Sequence, residues 1–157
     1  MSVRIVLYRV STAEDISDLA NLAQQIQPSK SVDLYKITED LGIIFMNTTE
    51  PFDNTDALPY KALFGNHVNV AAGLKTIGGF LPTSEVSKIC DWIKTNTIDH
   101  FEGFSKMYDS LSEEAKQQLV EIGADDKKAL FEGYVNPLTQ FYFAALKDHN
   151  SIIVCGE

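Results

Sequence analysis

Two short apolar segments stand near opposite ends of the chain, "VRIVLYRV" at residues 3–10 and "NSIIVCGE" at residues 150–157. Both are rich in β-branched and other apolar residues and too short for an ordinary helix, so both read as strands. Strands that are apolar on both sides need cover on both, and a single small sheet holding the two side by side supplies it. The remaining sequence must then cover that sheet. The expected fold is α+β and helix-dominated, a small sheet with the N- and C-terminal strands packed against several helices.

The intervening periodicities fit this scheme. Ser11 with Glu14 has capping-box spacing, and behind it Ile16, Leu19, Ala20, Ala23 and Ile26 recur at helical intervals up to Pro28. A second helix is expected over residues 33–46, with Leu34, Ile37, Leu41, Ile44 and Phe45 on one face and Gly42 weakening it. Residues 47–59, "NTTEPFDNTDALP", are turn-forming, and Pro59 suits the start of a short helix that Gly65 ends. Residues 74–81 read as a strand with a bulge or close backbone approach at Gly78-Gly79. Further helical faces carry Val86, Ile89, Cys90 and Ile93, then Phe101, Phe104, Tyr108 and Leu111. Ser110 and Glu113 suggest a second capping box before a helix that Gly123 ends. In the last helical stretch, Phe131, Tyr134, Leu138, Phe141 and Ala145 share a face. Asn136-Pro137 inside it predicts a kink or a fresh start capped by Asn136.

Composition bounds the function. The 157 residues are expected to form one domain, residues 1–157, able to bury a core without metal or disulfide. Net charge is −9, and only Arg4 and Arg9 are arginines among 13 basic residues, which disfavours nucleic acid and anionic membranes. Cys90 and Cys155 lie in apolar surroundings and make neither a disulfide framework nor a metal spacing. The first residues lack the pattern of a signal peptide, and the apolar run at residues 43–46 is too short to span a bilayer. A cytoplasmic, soluble protein is expected.

The stretches "DLYKITEDLGIIFMNT", "PYKALFGN", "IGGFLPTSEVSKI" and "FYFAALKDHNSIIV" occur in that order over roughly residues 33–154. Through them the chain resembles the YfbM-like family of small uncharacterised bacterial proteins, the domain of unknown function 1877. The resemblance implies an α+β fold and a bacterial source, and it implies no activity.

No dinucleotide, P-loop or nucleophile-elbow motif occurs, so no catalytic residue is assigned and no cofactor is expected. His67, His100 and His149 have no metal-ligand spacing, and no metal site is expected. His100 is read as a helix first-turn residue beside Asp99, and His149 as a last-turn residue. Asp53 and Asp56 could serve as cation ligands or as an acid and base, but turn formation beside Pro51 and Pro59 accounts for them better. His67 follows Gly65-Asn66 and reads first as a turn residue, with Asn66 in a left-handed conformation. Should a polar pocket exist, the 47–59 loop folds over this region and Asp53, Asp56, Tyr60, Asn66 and His67 line it.

These features favour a non-catalytic protein-interaction or regulatory module, immunity-type among the options, with an aromatic patch around Tyr142 and Phe143 available to a protein partner. The alternative is an enzyme or binder for a small polar molecule, with its pocket near His67. The sequence does not fix an oligomeric state.

Overall fold

The computed structural model describes residues 4–11, 19, 24, 26–72 and 75–157. β1 (Ile5–Val10) and β5 (Ser151–Gly156) pair antiparallel in register, Val6 opposite Cys155 and Tyr8 opposite Ile153. The terminal strands therefore share one sheet. It has five strands in the order β2-β1-β5-β4-β3, all pairs antiparallel, with β2 at Ser31–Tyr35, β3 at Asn66–Ala72 and β4 at Lys75–Leu81.

The apolar runs at the two ends follow from where they sit. β5 lies in the middle of the sheet, and Ser151 through Cys155 are buried without a break. Leu7, Leu81, Ile152 and Val154 face the main core on one side of the sheet. Val6, Tyr8, Ile77, Phe80, Ile153 and Cys155 face a smaller cluster on the other. The capping box and most of the first expected helix lie outside the described residues. Of that stretch, Leu19 is fully buried in the smaller cluster and Ile26 packs against it.

The main core is roofed by helices. These are α1 (Thr38–Met46), α2 (Leu58–Phe64), α3 (Thr83–Asn96), α4 (Phe101–Asp109), α5 (Glu113–Glu121), α6 (Lys127–Leu130) and α7 (Asn136–Lys147). The fold is α+β and helix-dominated. The expected faces of α3 (Val86, Ile89, Cys90, Ile93) and α7 (Leu138, Phe141, Ala145) are buried. Among the described residues, no helix is long and apolar enough to cross a membrane.

Several local expectations are corrected. Residues 31–35 form strand β2 rather than the start of a helix, because Val32 and Leu34 alternate inward against Asp33 and Tyr35. The serine that caps α5 is Ser112, whose Oγ accepts from the Ala115 amide at 3.2 Å. Ser110 instead donates to the Lys106 carbonyl at 2.8 Å. Before Pro137 the helical path widens into a π-turn at Phe131–Val135, and Asn136 is itself helical, so it caps nothing. Tyr142 is fully buried and Phe143 packs against the core, so these residues make no exposed aromatic patch. His100 stands at the N-cap of α4, its Nε2 3.5 Å from the Asp99 carboxylate. His149 lies just past α7 in a left-handed conformation, φ 55°.

Candidate functional site

The helical roof stops short of one end of the sheet. There Ile5, Thr76, Gly78, Val154 and Gly156 are left as the floor of a cleft of about 530 Å³. Its walls come from three loops and helix ends that the topology gathers.

The aromatic wall is built first. Pro59 starts α2, and Tyr60 and Phe64, four residues apart, lie on one face of it with ring centroids 4.8 Å apart. Phe52, from the short turn Pro51–Asp53, completes the wall at 5.4 Å from Phe64 and 6.3 Å from Tyr60. Gly42 explains how this turn is held. A Cβ on Gly42 would come within 2.9 Å of the Pro51 ring, so only glycine in α1 allows Pro51 to pack so closely. Phe52 is 51% exposed although it packs on two other rings.

Two glycines set α2 onto the sheet. Gly65 ends the helix with φ +68°, a conformation that favours glycine, and turns the chain into β3. Gly79 meets the Phe64 carbonyl so closely that any Cβ would overlap it. Its neighbour Gly78 is the opposite case: a Cβ there meets no heavy atom within 4 Å and projects into open space. The β4–β5 register shifts between Ile77 and Gly79, so the expected irregularity at this glycine pair is present.

The polar rim comes from the β2–α1 connection. Asp33 accepts from the Tyr35 amide at 2.8 Å and pairs with the Arg4 guanidinium, which also lies 5.1 Å from the Tyr35 ring centroid. These contacts hold Tyr35 at φ 50° and bend the chain so that Lys36, Thr38 and Glu39 border the cleft. Thr38 opens α1, is only 5% exposed and borders the cleft. Neither Lys36 nor Glu39 has an ion-pair partner among the described residues. Burial pushes the Tyr60 phenol above its ordinary value. Deeper in the first turn of α1, burial and then the charge of Glu39 raise the Asp40 carboxyl.

Of the residues singled out from sequence, Tyr60 and His67 line this cleft. His67 is not at a turn. It is an exposed residue of β3, opposite Gly79 on β4. Asn66 is also strand rather than left-handed, and its side-chain amide donates to Glu85 at 3.0 Å, beside the Lys61–Glu85 ion pair. Asp53 and Asp56 are exposed in the 47–59 segment and do not line the cleft; Phe52 is what that segment contributes. Lys36, Thr38, Glu39, Phe52 and Phe64 were missed. A phenylalanine set between proline and aspartate in a turn-forming segment is the signal in the sequence that could have marked Phe52. Among the described residues, no three His, Cys, Asp or Glu side chains come together as a metal site.

The class this defines is an α+β fold with an antiparallel five-stranded sheet and an aromatic-walled cleft at one end. Its overall structure is similar to the crystal structure of YfbM from Escherichia coli, a protein of unknown function. The TM-score is 0.56 at 14% identity, covering 98% of this chain and 99% of that one. The fold is YfbM-like. No protein-family model and no curated protein matches the chain.

Proposed function

We propose that this chain is a non-catalytic binding module and that the cleft between α2, the β2–α1 connection and the sheet end is its ligand site. The observation that carries the reading is the half-exposed Phe52, edge-on to Tyr60 and tilted against Phe64, over an unfilled glycine floor at Gly78. Aromatic rings left facing solvent around a concavity forgo burial that a ligand would restore. A volume of about 530 Å³ is in the usual range for small-molecule sites. Thr38, a largely buried residue at the cleft border, adds a hydroxyl as a directional polar contact. The module acts as one unit in the bacterial cytoplasm, where its buried free thiols, Cys90 and Cys155, suit a reducing compartment.

The test uses indole as a neutral ring probe, followed by ligand-observed NMR. Indole should bind the native protein, and Gly78→Leu should abolish binding without lowering the melting temperature. Indole that binds equally well to the Gly78→Leu protein would place the site elsewhere.

A protein partner is the second reading, and β3 favours it. This strand is at the sheet edge next to the cleft, with His67, Asn69 and Ala71 exposed. An extended segment of a partner can pair along such an edge. Proline at Asn69 would then abolish capture of that partner.

A further inference from the structure

We infer that the ligand of this cleft is a free amino acid with a large apolar or aromatic side chain, bound through both its charged groups. The inference rests on the cleft's being the ligand site, and it follows from what the polar rim contains. Lys36 brings a cation and Glu39 a carboxylate, three residues apart on either side of the start of α1. Neither is paired with another side chain among the described residues. Single charges of both signs beside one aromatic wall do not complement a simple anion, because Glu39 repels it, nor a simple cation, because Lys36 does. They complement a zwitterion.

The placement of the groups gives the pose. The first-turn amides of α1 have no capping side chain, and the N-cap position is held by Ile37, which offers no acceptor. With Lys36 and the Thr38 hydroxyl, those amides receive the ligand's α-carboxylate. Thr38 opens α1, is 5% exposed and borders the cleft, so its hydroxyl is within the same rim as those amides. Glu39 receives the α-ammonium. The side chain then lies against Phe52, Tyr60 and Phe64, above Gly78. A bare helix N-terminus would select any anion; the Glu39 carboxylate, with which no described cation pairs, and the aromatic wall narrow the choice.

Calorimetry with L-phenylalanine, 3-phenylpropionate, phenethylamine and indole tests this. L-phenylalanine should bind the native protein about tenfold more tightly than either singly charged analogue, the gain of one charge-assisted contact. Lys36→Gln should weaken L-phenylalanine and 3-phenylpropionate but not phenethylamine. Glu39→Gln should weaken L-phenylalanine and phenethylamine but not 3-phenylpropionate. Both variants change exposed side chains and should melt like the native protein. If indole binds and is lost in Gly78→Leu while L-phenylalanine is no tighter than its analogues, the zwitterion is overturned and the cleft stands. If none of the four probes binds, both readings fall.

Discussion

The hydroxyl of Tyr142, fully buried in α7, donates a 2.6 Å hydrogen bond to the carbonyl oxygen of Ala62 in α2. Ala62 lies in the last turn of a seven-residue helix, where carbonyls have no intrahelical donor. The tyrosine therefore closes an otherwise open helix end and ties the helix that carries Tyr60 and Phe64 to α7. Tyr142→Phe keeps the ring packing and removes only the donor. The expected cost is about 1–3 kcal/mol, the penalty of a buried unpaired acceptor. Urea denaturation at neutral pH reads it. An unchanged midpoint would mean that the Ala62 carbonyl finds another partner.

Burial pushes the thiols of Cys90 and Cys155 up to about 11 from an ordinary 9.0, in each case as the largest cause. In the unfolded chain both return to ordinary values, so the folded state holds its thiol protons to higher pH. Their contribution to stability is fully present below pH 9.0 and is lost as pH rises towards about 11. Burial also raises the Tyr142 phenol, which adds to the loss at still higher pH. Denaturation midpoints measured between pH 8 and 11 should fall, and the fall should be shallower in Cys155→Ala. A parallel check is thiol reactivity: neither cysteine should react with Ellman's reagent at pH 8 before the protein unfolds.

How much of this could be read from the chain depends on how many structures a pattern allows. The terminal strands were legible because residues 5–10 and 151–155 are apolar on both faces, which a short solvated helix cannot satisfy. β2 was not, because Leu34, Ile37 and Leu41 fit a helical spacing as well as Val32 and Leu34 fit a strand. β3 was hidden by its position at the edge: His67, Asn69 and Ala71 face solvent, so the segment lacks apolar weight, and Gly65-Asn66 imitates a turn. Tyr60 and His67 were found because they flank Gly65, a visible punctuation mark. Lys36, Thr38 and Glu39 reach the same cleft through strand pairing between β1 and β2, a long-range fact that no local pattern carries.

Deleting residues 150–157 should leave no cooperatively folded protein. The segment supplies β5, the strand between β1 and β4, and its loss divides the sheet and exposes side chains of both apolar clusters. The measurement is circular dichroism during heating. A sigmoidal melt of a soluble truncation would show that β1 and β4 close on each other without it.

Exchanging His67 for asparagine should change stability by less than about 1 kcal/mol, as for other exposed substitutions. The same substitution removes an imidazole from the cleft wall, so L-phenylalanine binding tells whether this side chain touches the ligand. Loss of more than about 1 kcal/mol in denaturation would show that His67 holds β3 in place.

Gly78 and Gly79 are neighbours on one strand and should respond in opposite ways to the same added methyl group. At Gly79 the new Cβ would overlap the Phe64 carbonyl and come within 3.1 Å of Val154, and the carbonyl belongs to backbone that the Gly65 turn fixes. Gly79→Ala must therefore push α2 off the sheet, at a cost of about 3 kcal/mol. At Gly78 nothing lies within 4 Å, and no left-handed backbone penalises a side chain. Gly78→Ala should be neutral or stabilising by up to about 1 kcal/mol, since alanine lowers the entropy of the unfolded chain. Paired urea titrations separate the two. Equal destabilisation by both would mean that the floor of the cleft is already filled, and with it would go the space in which a ligand is to sit.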